Sequence, residues 1–109
     1  MSERRDTRVA DLTAGQKRFL RGLGQKLPVG VSVGKAGLSE ALVRQVTYRL
    51  EQQELVKVRL AEGPPDERRV AASALAQAAG AVRVSLVGRN AVLYRLNGKL
   101  PDDKRIALP

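Results

Sequence analysis

The apolar residues of this chain switch between helical and strand spacing, and these changes divide it into seven segments. Apolar positions repeat every three to four residues over 14–23, 40–53 and 70–78, which predicts three amphipathic helices. Apolar and polar positions alternate over 29–33, 55–60 and 82–86, which predicts three strands. A fourth strand, residues 92–96, follows a turn at residues 88–90. The predicted order is therefore α1-β1-α2-β2-α3-β3-β4.

Capping residues predict where the helices begin and end. Thr13 and Gln16 have the spacing of a capping box before the first helix, and Ser39 is suited to cap the second. Gly24 is expected to end the first helix and Gly80 the third. On the third helix, the apolar positions Val70, Ala74, Leu75 and Ala78 predict the buried side.

This order predicts one compact α/β domain over residues 12–109. Strand-helix-strand crossovers favour parallel pairing and the closing hairpin is antiparallel, so we expect a four-stranded mixed sheet packed by helices. Residues 1–11 mix charges without periodicity and are expected to be a flexible lead-in. The tail beyond residue 97 is expected to be irregular, with Ile106 and Leu108 available to dock on the domain.

The charge of the chain changes this picture from a generic domain to one that needs an anionic partner. Twenty Lys and Arg residues against eleven Asp and Glu give a net charge of +9, and nucleic acid is the leading candidate partner. A membrane surface would call for a basic amphipathic helix with bulky apolar residues or a lipidation signal, and the sequence has neither. With neither a signal peptide nor a membrane-spanning run, a cytoplasmic protein is expected.

The chain has no Cys and no His. Disulfides, thiolate catalysis and cysteine metal sites are therefore excluded, and the commonest general base is missing. The paired carboxylates Asp66-Glu67 and Asp102-Asp103 lie at a helix start and in the tail, where helix-dipole and solubility effects explain them. We expect no enzymatic activity, no metal and no cofactor.

The turn Gly34-Lys35-Ala36-Gly37 joins the first strand to the second helix. Glycines on both sides allow an anion to approach the backbone, where a helix N-terminus and one lysine attract it. Any strand-to-helix turn favours glycine, so the pattern alone does not decide between structure and function. The flanks favour function, because residues 12–39 contain no acid and five bases: Lys17, Arg18, Arg21, Lys26 and Lys35.

A second acid-free run covers residues 81–101. Within it, Arg89 lies at the predicted hairpin tip and is the best candidate for a further phosphate contact. Lys57 and Arg59 face outward on the second predicted strand, where protection of a sheet edge and RNA contact remain equally open.

The chain has only three aromatic residues. Phe19 and Tyr94 are expected in the core, because each lies among the apolar positions of its segment. Base stacking on single strands depends on aromatic side chains, so their scarcity favours contacts to the backbone and shape of RNA over base readout.

Several blocks together resemble the CRM domain (chloroplast RNA splicing and ribosome maturation) in its stand-alone bacterial YhbY-type form. The blocks are Leu12-Thr13 with Gln16-Lys17, Val33-Gly34-Lys35-Ala36-Gly37-Leu38-Ser39, Glu54-Leu55-Val56-Lys57-Val58, Val87-Gly88-Arg89 with Leu93-Tyr94-Arg95, and Ile106-Ala107-Leu108-Pro109. The resemblance implies a domain similar to the C-terminal domain of translation initiation factor three. It also implies RNA binding through a loop like that of KH domains, and association with the precursor of the large ribosomal subunit.

The combined reading is a non-catalytic, monomeric RNA-binding protein that contacts ribosomal RNA during assembly of the large ribosomal subunit. The candidate phosphate-binding residues are those of the turn: Gly34, Lys35, Ala36 and Gly37. The candidate basic surface consists of Lys17, Arg18, Arg21, Lys26 and Arg89. The alternative is a module whose positive charge docks an acidic protein. An enzyme acting on phosphorylated substrates would need a carboxylate-lined pocket, of which the sequence gives no sign.

Overall fold

The computed structural model describes residues 12–109, so the predicted lead-in over residues 1–11 lies outside the described residues. The elements are α1 Ala14–Lys26, β1 Val31–Ser32, α2 Glu40–Gln53, β2 Leu55–Arg59, α3 Pro65–Ala78, β3 Val82–Val87 and β4 Asn90–Tyr94, followed by a short 3₁₀ helix, Asp102–Lys104. The predicted order is confirmed. Along residues 12–109 no helix combines the length and apolar character required to cross a membrane.

The strands form one sheet in the order β1-β2-β4-β3. β1 is parallel to β2, whereas β4 is antiparallel to both β2 and β3, so the predicted mixed sheet is confirmed. β1 has only two residues, because the chain leaves the sheet after Ser32 to enter the glycine turn.

Helices cover both faces of the sheet. Successive residues of β4 belong to two apolar clusters on opposite faces of the sheet. Leu93 belongs to the cluster that includes residues of α2 and α3, whereas Val92 and Tyr94 belong to the cluster that includes residues of α1. Leu50 and Leu75 are fully buried in the first cluster and Leu20 in the second. Burying a leucine side chain contributes roughly 1.5–3 kcal/mol, so both clusters stabilise the fold.

The capping box at the start of α1 forms as predicted. The amide of Gln16 donates to Thr13 Oγ1 and the amide of Thr13 donates to Gln16 Oε1, each over 3.0 Å. The predicted end at Gly24 is wrong, since α1 continues to Lys26. Gly24 is buried, and a Cβ placed there would lie 2.7 Å from Val92 Cγ2. This glycine therefore lets α1 approach the sheet closely.

Of Phe19, Tyr94 and Val70, which the sequence predicts as buried, only Tyr94 is buried. Phe19 is 39% exposed because Leu20 and Gly24 are the positions of α1 that face the sheet. Tyr94 is buried, as expected. Val70 is 69% exposed.

The predicted buried side of α3 is wrong apart from Leu75. Its core residues are Ala72, Leu75 and Ala76, whereas Ala74 and Ala78 are exposed. α3 also begins at Pro65, five residues before the predicted start at residue 70. Proline suits the first position of a helix because its missing N–H needs no partner there.

A β-bulge interrupts β3. Arg83 pairs with Leu93 but Ser85 pairs with Val92, so one extra residue separates the two pairs. Directly opposed residues share a face of the sheet, so Ser85 lies with Val92 on the α1 face and Leu86 packs against the opposite cluster. The predicted unbroken alternation over residues 82–86 is therefore wrong beyond Val84.

The tail returns to the sheet and closes the end that carries Leu55 and Tyr94. Ile106 and Leu108 pack against the α1-side cluster, which confirms their docking. The buried carboxylate of Glu54 accepts from the amide of Asn97 over 2.6 Å and from that of Ile106 over 2.8 Å. Internal hydrogen bonds therefore hold the tail in place.

Candidate nucleic-acid interface

The glycine turn and the hairpin tip lie at the same end of the sheet, which we call the turn end: residues 33–38, 59–62 and 87–90. The amide of Val33 donates to the carbonyl of Arg59 over 2.8 Å, and the amide of Leu60 donates to the carbonyl of Arg89 over 2.7 Å. Because β2 lies between β1 and β4, it links the two candidate segments. The structure thus brings the segments that carry Lys35 and Arg89 to one end of the sheet.

The turn leaves backbone donors free. Its own closure uses the amide of Gly37, which donates to the carbonyl of Gly34 over 3.0 Å. Ser39 Oγ accepts from the amide of Leu42 over 3.1 Å and caps α2. Within residues 12–109, the amides of Lys35, Ala36 and Leu38 are among those of the turn that have no acceptor. These donors lie beside a helix N-terminus, where partial positive charge attracts anions.

The two glycines of the turn differ in what the fold requires of them. Gly37 has a φ of +70°, which side-chain-bearing residues rarely adopt. Gly34 does not have a positive φ, and a Cβ built on it would meet no heavy atom within 4 Å. The fold therefore needs a glycine at position 37 but not at position 34.

The basic residues of α1 divide between its two ends. Gly24 and Gln25 lie over Lys57 and Val92 in a shared cavity, and Lys57 Nζ is 3.5 Å from the carbonyl oxygen of Gln25. Lys26 follows in the last turn of α1 and is exposed, as is Arg21 one turn earlier.

Lys17 and Arg18 belong to the opposite half of α1. Gln16 donates to the carbonyl of Pro109 over 3.1 Å, so this half lies beside the tail. With a rise of about 1.5 Å per residue, Lys17 is about 14 Å from Lys26 along the helix axis. The structure therefore brings Lys26 toward the turn end but not Lys17 and Arg18.

Arg89 is bound within the protein as well as exposed to solvent. Its Nε donates to the carbonyl of Leu60 over 2.9 Å, and its Nη1 lies 3.5 Å from Glu62 Oε2. Its side chain remains 40% exposed. Arg89 therefore fastens the hairpin tip to the end of β2 and leaves part of its guanidinium open to a ligand.

Two further arginines lie at or beside the turn end: Arg59, for which edge protection and RNA contact were both open, and Arg68, which was not a sequence candidate. Arg59 is exposed and lies directly between Ser32 and Asn90 in the sheet. Its alternation indicated an outward side chain, but only the strand order reveals its neighbours. Arg68 lines a cavity of ≈ 170 Å³ with Gly37 and Leu38. Because the predicted third helix began at residue 70, the sequence did not indicate that Arg68 lies beside the glycine turn.

The turn end combines exposed cations and backbone amides without acceptors with some apolar area. Leu38 is 39% exposed and forms an apolar groove with Val70 and Ala71 of α3. Carboxylates are present but dispersed, and Glu62 is paired with Arg89. Among residues 12–109, no group of three or more Asp, Glu, His or Cys side chains could hold a metal ion.

Comparison with known proteins identifies the family. The model of the CRS1 / YhbY (CRM) domain matches residues 12–95. The chain belongs to this CRM domain family. The matched range contains all three segments of the turn end, and the resemblance inferred from the sequence blocks is confirmed.

Relatives of this CRM domain chain have nearly its length. The Bacillus subtilis protein named "Probable RNA-binding protein YqeI" is 33% identical over 98 residues, covering 90% of this chain and 99% of that protein. A Haemophilus influenzae protein named "RNA-binding protein" is 31% identical over 101 residues, covering 93% of this chain and 98% of that protein. Both matches therefore extend beyond the turn end to most of the chain.

A solved structure shares the fold. The solution structure of the hypothetical protein SAV1595 from Staphylococcus aureus, described as a candidate RNA-binding protein, matches with a TM-score of 0.76 at 32% sequence identity. The match covers 90% of this chain and 99% of that one. The predicted α/β fold is thus supported by a related structure as well as by the observed topology.

Proposed function

We propose that this CRM domain protein binds RNA without catalysing a reaction, and that the turn Gly34-Lys35-Ala36-Gly37 grips a phosphate of the RNA backbone. One observation carries the proposal: the exposed turn and the residue after it have amides without acceptors, among them those of residues 35, 36 and 38, next to the N-terminus of α2. Backbone donors of this kind suit a phosphate oxygen, and Lys35 adds a full positive charge.

The glycine at position 34 supports a ligand at this turn. Neither its backbone conformation nor its packing excludes a side chain. The bare backbone instead allows an outside group to come within hydrogen-bond distance of the amides. A phosphate is the group that the surrounding charge favours.

The basic residues extend this contact. Arg89 lies within the turn end and Lys26 is brought toward it, while Arg21, Lys17 and Arg18 would contact a strand that continues along α1. The net charge of +9 favours a polyanion, and the names of two relatives describe RNA-binding proteins. Phosphate contacts alone carry no sequence information, so the turn supplies affinity and position.

The proposed RNA is ribosomal, and the proposed setting is assembly of the large ribosomal subunit in the cytoplasm, with the protein acting as a monomer. This part rests on the resemblance to stand-alone YhbY-type proteins. Crosslinking the protein to RNA in cells and sequencing the captured fragments tests it. Enrichment of large-subunit ribosomal RNA is expected, whereas enrichment of unrelated messenger or transfer RNA would contradict the assignment.

The site itself is tested by the salt dependence of binding. Replacing Lys35 and Arg21 together by Ala should weaken binding to single-stranded RNA of any sequence and lower the slope of log K against log salt by about 1.4 in magnitude, because each lost phosphate contact removes about 0.7. The matched control replaces Lys99 and Lys104, two exposed lysines of the tail, and removes the same charge. Equal slopes for the two double variants, with both folded, would contradict the proposed site.

A further inference from the structure

We propose that a cavity beside the C-terminal end of α1 binds one unpaired base of the RNA, with Asn90 as the residue that reads it; this inference rests on the proposed RNA-binding function. The cavity has a volume of ≈ 150 Å³. We call it the Asn90 cavity, and its lining residues are Gly24, Gln25, Lys57, Ser85, Val87, Asn90 and Val92.

Two local features of the fold build the Asn90 cavity. The close approach of α1 at Gly24 brings the end of the helix onto Val92. The β-bulge in β3 reverses the alternation of that strand and brings Ser85 and Val87 to the α1 face, opposite Val92 and Asn90. Bulges commonly redirect side chains beside functional sites. Without this bulge, Ser85 would lie on the opposite face of the sheet.

Asn90 has an unmet hydrogen-bonding requirement. Its Oδ1 is buried, and no donor within residues 12–109 reaches it. A buried acceptor without a donor destabilises the folded protein, so such atoms in native structures call for an explanation. A half-turn about χ2 exchanges the amide oxygen and nitrogen, so either edge of the amide can serve a molecule in the cavity.

The size and chemistry of the Asn90 cavity fit a nucleobase. A cavity of about 150 Å³ accepts a six-membered aromatic ring. Val87, which is 68% exposed, and Val92 supply apolar contact for the ring. The Asn90 amide can present its nitrogen or, after the half-turn about χ2, its oxygen to one polar group on the edge of a base.

The position of the Asn90 cavity connects it to the proposed phosphate site. Asn90 follows Arg89 in the chain and pairs with Arg59 across the sheet, and Arg59 accepts from the amide of Val33 just before the glycine turn. Lys57 lines the cavity and Arg59 lies beside it, so cations are available for the phosphates next to the bound base. The scarcity of aromatic residues does not exclude base readout here, because the amide reads an edge and needs no stacking platform.

Binding to single-stranded and to fully paired RNA distinguishes this proposal from simple phosphate contact. A base in a duplex is stacked and paired and does not enter a cavity. Asn90→Ala should weaken binding to single-stranded RNA roughly three- to tenfold, the effect of one lost hydrogen bond, and weaken binding to duplex RNA by a smaller factor. Gln52→Ala, an exposed amide side chain on α2, is the matched control and should change neither affinity.

Thermal unfolding separates a binding role from a structural one. Because Asn90→Ala removes an acceptor that lacks a donor, its thermal midpoint should equal or exceed that of the wild type. Asn90→Leu keeps the branching of the side chain without its hydrogen bonds and should weaken single-strand binding in the same way. A lowered midpoint together with unchanged binding in both variants would identify a structural role and overturn the proposal.

Homopolymer RNAs complete the test. Wild-type protein should prefer some bases, and Asn90→Ala should reduce the differences among them. Equal losses for all four homopolymers would indicate a backbone contact and overturn base readout, while leaving phosphate binding at the turn intact. A wild-type protein that binds none of these RNAs would instead overturn the proposed function itself.

Discussion

The two ends of the sheet differ in whether their backbone amides have acceptors within the protein. At the tail end, which we define as Glu54, Asn97, Ile106 and Pro109, a buried carboxylate accepts from two amides of the returning tail. Glu54 has a φ of 65°, a strained conformation for a residue other than glycine. The turn end has the reverse arrangement, because the amides of Lys35, Ala36 and Leu38 have no acceptors in the described chain.

This difference separates stability from the proposed binding. The polar groups of the tail end hydrogen-bond to one another within the protein. Substitutions there should therefore lower the free energy of unfolding. The turn end keeps donors and cations available for a ligand, so substitutions there should lower affinity for RNA. Two pairs of substitutions, one at each end, test this division, and a third pair tests the contact between α1 and the sheet.

The largest effect is expected at Glu54. Glu54→Ala leaves the amides of Asn97 and Ile106 without their acceptor, and should lower the free energy of unfolding by roughly 3 kcal/mol. Glu51→Ala changes an exposed glutamate one turn earlier and should have an effect within about 0.5 kcal/mol. Urea unfolding measures both. If the two variants lost similar amounts of unfolding free energy, the buried carboxylate would not be what stabilises the tail.

An intermediate effect is expected where α1 meets the sheet. Gly24→Ala places a Cβ against Val92 and should lower stability by about 1–2 kcal/mol, since overpacking outweighs the gain in helix propensity. Gly22→Ala brings the same gain in helix propensity, and its Cβ would meet no heavy atom within 4 Å. It should therefore stabilise the protein by up to about 1 kcal/mol. A stabilising Gly24→Ala would show that the sheet adjusts easily to the helix.

The smallest effect on stability is expected within the glycine turn. Gly37→Ala forces a side chain into left-handed backbone and should lower the free energy of unfolding by about 1 kcal/mol. Gly34→Ala should change stability by less than about 0.5 kcal/mol but weaken RNA binding about three- to tenfold, by hindering one amide contact. Unchanged RNA affinity in the Gly34 variant would mean that this glycine has no role in binding.

Local sequence patterns predicted much of the fold and of the turn end. The element order follows from the spacing of apolar residues, and Gly34, Gly37 and Ser39 mark the turn and the helix cap within a few positions. Arg89 was predicted at the hairpin tip, where it is found. These features depend on residues close together in the chain, which is why the sequence revealed them.

The features that the sequence did not reveal depend on distant residues. Glu54 accepts from amides 43 and 52 residues further along the chain, so its burial has no local signal. The bulge before Ser85 shifts the pairing of two strands whose spacing looks regular. Gly24 resembles a helix terminator until Val92 is brought against it. The Asn90 cavity depends on the strand order, on the pairing register of β3 and β4, and on the close approach of α1. None of these has a signal in the local sequence.

The most direct test of the central claim follows the backbone amides while RNA is added. In a titration of the labelled protein with single-stranded RNA, monitored by NMR, the amide resonances of Lys35, Ala36 and Leu38 should shift most, because these donors gain a phosphate acceptor. Those of Asn97 and Ile106 should stay in place, because Glu54 already holds them. Shifts concentrated at the tail end, or absent from the turn while RNA binds, would contradict the account.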